Sequence, residues 1–284
     1  MPKPPTPRSP GGSRVRAPRL APAATRPAAA GAAAPTAWQE QAEWYDRLLG
    51  ETGDDLYGSL LLPKVCERLG AKPGERVLDI CCGQGVLARR LAAAGTKVVG
   101  IDAAPALVDK ARARGGQLER YAVGDARKLG EVVNDGPYDH AAMVMALQDL
   151  DAMHLVIQGA AALVRRGGRI VIALTHPCFR QPKRSSWVVD DRSGVRYRRL
   201  DSYLSPHTAV IRTHPGQGDQ SPTTTSHHRP LGTYINALAG AGWAITGMDE
   251  LISPRRGTKG RASAMEDRAT EEFPLFCVLT AVRL

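Results

Sequence analysis

The chain has 284 residues, 43% of them hydrophobic, and a formal charge of +10, enough length for a packed core in one large domain or two small ones. No run reaches the ~18 apolar residues that a membrane span needs. The five cysteines (Cys66, Cys81, Cys82, Cys178, Cys277) form no C-x-x-C pair, which points to reduced thiols, a cytoplasmic setting and no metal site.

Residues 1–37 hold Lys3, Arg8, Arg14, Arg16, Arg19 and Arg26, no acid, and nine of the 21 prolines. That stretch therefore carries +6 of the net +10, and the body is only mildly basic. Proline among alanine can neither continue a helix nor bury a core, so 1–37 reads as a disordered basic tail, a solvated extension or misassigned start rather than a targeting segment. Such a tail also leaves nucleic acid as a second, weaker class of partner. From Trp38 onward, Gln39 to Leu49 sets Trp44, Tyr45, Leu48 and Leu49 on one helical face. Leu60 to Leu69 predicts a second helix, stopped near Gly70 and Pro73-Gly74.

The next stretch, Arg76 to Leu91, is an apolar run, a glycine turn and a helical pattern of Val86, Leu87 and Leu91: strand, tight turn, helix. Gly83 and Gly85 allow the sharp turn and the close approach of a ligand to a helix N-terminus. The following strand, Lys97 to Asp102, ends in an acid placed to accept hydrogen bonds from ribose hydroxyls. A dinucleotide site requires G-x-G-x-x-G, and here Gly83-Gln84-Gly85 lacks the third glycine. The stretch instead resembles motif I of the class I S-adenosylmethionine-dependent methyltransferases, with Asp79, Gly83 and Gly85 on its acidic and glycine positions and Cys81 where the family usually has a further glycine.

That resemblance implies a cofactor site built from Asp79, Cys81, Gly83, Gly85, Asp102 and Ala103. Ala103 to Arg114 reads as a helix and Leu118 to Val123 as the third strand, which leads to Asp125 and Ala126, the adenine contacts by resemblance. The fourth strand, Tyr138 to Ala146, occupies the place of motif IV, so Met145 joins the cofactor set. The chain lacks the Asn/Asp-Pro-Pro-Tyr/Phe pattern of adenine- and glutamine-amino methyltransferases. By the same resemblance Trp44-Tyr45-Asp46, with Tyr57 and Leu60 to Pro63, looks like a lid over the cleft.

Ala152 to Arg165 reads as a helix stopped by Gly167-Gly168, and Arg169 to Leu174 as the fifth strand. Residues 176–229 interrupt the alternation with extended stretches at 186–189, 195–200 and 208–212, so local β-structure is expected there, and the resemblance implies that this insertion forms a substrate cap. Leu231 to Ala241 is a helix, Gly242 to Leu251 the sixth strand and Phe273 to Arg283 the last. Arg255 to Arg261 is a solvated basic loop.

The expected fold is α/β: a Rossmann-like seven-stranded, mostly parallel sheet sandwiched by helices, the last strand antiparallel, in a domain spanning 38–284. The expected function is methyl transfer from S-adenosyl-L-methionine to a small molecule. A nucleic-acid methyltransferase and a cofactor-binding protein without turnover are the alternatives. His176 and His228 are the candidate catalytic bases, and Tyr45, Tyr203, Arg229 and Tyr234 the candidate acceptor contacts.

Overall fold

The computed structural model describes residues 36–54, 56–213, 221–257, 260 and 262–284. Nearly all of the basic tail expected over 1–37, and part of the basic loop at 255–261, lies outside the described residues. The first helix, α1 (Ala37–Leu49), begins two residues before its expected start because the Thr36 hydroxyl accepts a hydrogen bond from the Trp38 amide. One π-helical turn (Tyr57–Leu61), entered where Asp54 accepts from the Tyr57 amide at 2.6 Å, leads into α2 (Leu62–Leu69). Gly70 closes α2 in the left-handed conformation.

Three strand-helix units follow: β1 (Arg76–Ile80) and α3 (Val86–Ala93), β2 (Lys97–Asp102) and α4 (Pro105–Arg114), β3 (Glu119–Val123) and the short α5 (Leu129–Val132). Then come β4 (Tyr138–Val144), α6 (Met153–Leu163) and β5 (Val164–Thr175). Gly167, with φ 76°, does not end α6 as expected. It lies inside β5, at the start of the strand, where the register against β4 shifts between Tyr138 and His140. After the insertion come α7 (Leu231–Gly240) and β10 (Trp243–Leu251), then α8 (Ser263–Glu272), which the sequence reading left out, and β11 (Phe276–Arg283).

The seven strands are ordered β10-β11-β5-β4-β1-β2-β3, with β11 antiparallel to both neighbours. Side chains alternate across the sheet, so each strand feeds two cores. Leu78, Ile80, Ile170 and Ile172 join α6, α7 and Trp243 on one face. Val77, Val171, Ala173 and Val278 join α2, α3 and Val108 of α4 on the other. Burial on both faces is why these strands read as continuous apolar runs. The insertion forms two antiparallel hairpins, β6 (Ser185–Asp190) with β7 (Val195–Leu200), and β8 (His207–Arg212) with β9 (Thr223–His228).

Candidate active site

At the carboxyl ends of β1 and β2 the chain builds a closed polar corner. The Asp102 carboxylate accepts from the amides of Gly83 and Ala104, both at 2.9 Å. Burial drives its pKa up against these bonds. Asp79, 2% exposed, is pushed up to about 8 by burial, with the nearby Asp102 adding to the shift, and its Oδ2 has no protein partner. Gly83 turns with φ 55°, and the Tyr45 ring lies 3.3 Å from where a β-carbon would stand. Glycine lets the aromatic close over this turn without displacement.

A cavity of about 410 Å³ opens from this corner across the end of β4. Cys81, Gly83, Asp102 and Ala103 form one wall, and Val144, Met145 and Ala146 another. The roof is the helical segment before β1: Trp38 and Tyr45 of α1, whose rings meet edge to face at 5.2 Å, with Leu56 and Tyr57 beside them. Met145 is held at φ 57°, a conformation that costs of order 1–3 kcal/mol outside glycine and turns the chain sharply at the cavity wall. The turn after it (Leu147–Asp149) adds Gln148, whose Oε1 is buried without a partner, and Asp149, whose pKa burial alone lifts to about 7. The walls thus combine apolar surface with carboxyl and amide oxygens that lack protein donors. They fit a ligand that is a mostly apolar body carrying hydroxyl, ammonium or sulfonium groups.

Comparison with known proteins agrees with this geometry. Residues 77–168 match the methyltransferase domain family. Over 210 residues the chain is 30% identical to a ubiquinone biosynthesis O-methyltransferase of Bordetella bronchiseptica, covering 69% of this chain and 82% of that protein. The chain belongs to the class I S-adenosylmethionine-dependent methyltransferases. A solved S-adenosylmethionine-dependent methyltransferase of Mesorhizobium loti superposes with TM-score 0.61 at 27% identity, over 78% of this chain and 96% of that one. Two further curated relatives match over shorter stretches. The chain spans 66% of an uncharacterised methyltransferase of Synechocystis at 29% identity, and 43% of a demethylmenaquinone methyltransferase of Beutenbergia cavernae at 33%.

Against this family frame, the expected site residues fall into two groups. Cys81, Gly83, Asp102, Ala103, Met145 and Tyr45 all line the cavity, whereas Asp79 is buried near the end of β1 and is not part of the lining. Cys81 stands at φ 58°, so it adopts the backbone of the glycine this family usually has at its position. Gly85 acts one step removed: it caps α3 at φ 81° and makes room for the Tyr121 ring. Asp125 is not on the described wall. Its carboxylate is engaged by the Arg127 amide and guanidinium at 2.7 to 3.0 Å, and Ala126 is buried in the core.

The acceptor-side expectations part from the structure more sharply. His176 is 1% exposed: its Nδ1 accepts from the Cys178 amide, which leaves the proton on Nε2, donated to Glu250 at 2.8 Å. His228 donates from Nε2 to the Tyr203 carbonyl at 2.8 Å and packs on His207. Burial lowers the pKa of both, and neither reaches the cavity. Tyr203 accepts from the Leu231 amide at the start of α7, and Tyr234 lies in the core. Arg229 donates to the carbonyls of Leu150 and Asp151, and so bears on the site only through the loop it ties down. The cavity residues Leu107, Gln148, Asp149 and Phe276 were not singled out from sequence. Asp149 follows a strand end and was open to notice on that ground. Leu107 and Phe276 carry no local signal.

Proposed function

We propose that this chain transfers the methyl group of S-adenosyl-L-methionine to a small-molecule acceptor inside the cavity. The observation that carries the reading is the joining of the Asp102–Gly83 corner to an apolar chamber at the end of β4. When bound, the cofactor supplies a methyl group on a sulfonium, which needs an aligned lone pair and no covalent enzyme intermediate.

The chain's residues then have distinct tasks. Asp102 has lone pairs left for ribose hydroxyls, and the unpartnered oxygens of Asp79 and Gln148 accept from, or face, cationic groups. Cys81, Gly83, Ala103 and Met145 shape the cofactor wall; a contact of adenine with Asp125 at the end of β3 would require its carboxylate to release Arg127. Tyr45 and the turn at Tyr57 shut out water. For a hydroxyl acceptor Asp149 can take the proton, since its environment holds it near the operating pH. The names of the relatives, a demethylmenaquinone methyltransferase and a ubiquinone biosynthesis O-methyltransferase, support a small-molecule acceptor.

Calorimetric titration tests the reading. The chain is expected to bind S-adenosylmethionine and its demethylated product in preference to NAD, and Asp102→Ala to weaken both roughly tenfold through lost charge-assisted bonds. Tighter binding of NAD would overturn it.

A further inference from the structure

A second cavity, about 460 Å³, adjoins the first: Leu56 lines both, and Leu275 lines the second where its neighbour Phe276 lines the first. Its character is opposite. Arg180, Arg196, Arg255 and Arg256 converge on it, with Glu266 as the acid among its walls. Three guanidiniums crowd one indole ring, with the carbons of Arg196, Arg180 and Arg198 at 4.7, 5.2 and 5.2 Å from the Trp187 centroid. Trp187 is in turn backed edge to face by Phe273 at 5.5 Å.

The charge here is balanced from within only in part, with Arg256 paired to Glu271. Among the described residues Arg180 donates to the carbonyls of Pro274 and Phe273, and Arg198 to the Phe179 carbonyl and the Ser185 hydroxyl. Arg196 does meet Glu266 at 3.1 Å. Among the described residues no carboxylate pairs with Arg180 or Arg198. Burial, together with repulsion from Arg198 and Arg196, pushes Arg180 down to about 10. Like charges held together on a rigid aromatic platform are costly unless an anion completes them, and planar guanidiniums are suited to bidentate oxyanions. The cluster is built by the segment that follows β5, by the first hairpin of the insertion and by the stretch after β10. All of these lie on the β11 side of the sheet, away from the Asp102 corner where the ribose is held. The cavity therefore adjoins the end of the cleft left for the acceptor.

We propose that the methyl acceptor carries an oxyanion, a carboxylate or a phosphate, and that Arg180 and Arg196 hold it while its reactive end lies across Leu56 in the cofactor chamber. This inference rests on the methyltransferase reading, and its test separates the two. Benzoate, phenyl phosphate and neutral benzamide are titrated into the full chain saturated with S-adenosylhomocysteine, whose own binding is measured first. The anions are expected to bind more tightly than benzamide and to weaken with added salt, and the preferred anion identifies the head group. Arg180→Gln and Arg196→Gln are each expected to weaken anion binding roughly tenfold or more, with S-adenosylhomocysteine affinity within a factor of two of wild type. Arg196 lies on a surface hairpin, so its variant carries the test if Arg180→Gln unfolds. Equal binding of benzamide, no anion binding, or anion binding unmoved by Arg196→Gln overturns the inference. Failure of S-adenosylhomocysteine to bind overturns the methyltransferase reading instead.

Discussion

Asp79 concentrates the electrostatics of the cofactor corner in a single carboxyl. Buried beside Asp102, it titrates at about 8, against an ordinary value of 3.8. Between those values the folded chain holds a proton that the unfolded chain has released. The native state thus binds more protons, and stability falls as pH rises from about 4 to about 8, then levels off. Asp79→Asn keeps the shape without the charge. The ligand-free variant is expected to lose this component of the decline, so that its melting temperature gains on wild type as pH rises across the window, while its cofactor affinity drops. Thermal melts at stepped pH check it. Parallel curves for the two proteins would show that Asp79 is already ionised in the fold. Cys81 makes the complementary point about conformation. It is a side chain in a glycine backbone well, tolerated because the turn is fixed by the two amides that follow it, Cys82 bonded to the Ile101 carbonyl and Gly83 to Asp102, both at 2.9 Å.

At the scale of elements, histidine and aspartate exchange the roles that the order of the chain suggests. His176 leaves β5, crosses β11 to Glu250 of β10, and accepts from the backbone of its own turn, so it braces three strands at the sheet's edge. Asp149, on the turn after β4, faces the chamber. In a pH–rate profile with a hydroxyl acceptor, wild-type turnover is expected to rise as pH climbs through about 7, the value at which Asp149 loses its proton. Asp149→Asn should abolish that limb and cost ~10²-fold or more. His176→Gln should keep the limb and lower stability by about 1–2 kcal/mol through a lost buried hydrogen bond. Loss of the limb in the histidine variant instead would return His176 to the chemistry. The roof is held by charge as well as packing: Arg114 of α4 donates to both oxygens of Asp46 at 2.5 and 2.9 Å, and Gln41 reaches the Thr223 carbonyl of β9 at 3.2 Å. The Arg114 bond holds the Asp46 carboxyl below its usual range, so this tie is present above pH ~4 and is lost as pH falls through the lowered value.

For the whole molecule, the domain is proposed to begin at Thr36 rather than after residue 37, since its hydroxyl caps α1 and the residue lines the cavity. Removal of 1–35, which lies outside the described residues, is expected to leave the melting temperature and cofactor affinity unchanged. A further cut through Ala37 should weaken both by about 1 kcal/mol through the lost cap. If the shorter truncation alone lowers cofactor affinity, the boundary lies further upstream.

The amino-acid sequence by itself determined the alternation of strands and helices, the glycine turn and the acids at Asp79 and Asp102, because those signals are local: a strand buried on both faces is apolar throughout, and a turn at positive φ favours glycine. Elements with weaker local signals escaped it. α8 is a polar helix with only Ala269 buried, and β9 is a threonine-rich strand legible only beside β8. Which side chains beyond the cofactor corner face the cleft was decided by tertiary structure alone. His176 and His228 are satisfied by partners 74 and 25 residues away, while Phe276 and Leu56 reach the cavity from segments far apart in the chain. A side chain's freedom to act depends on whether the fold has already supplied its hydrogen-bond partners, and those come from distant parts of the chain that local pattern does not encode.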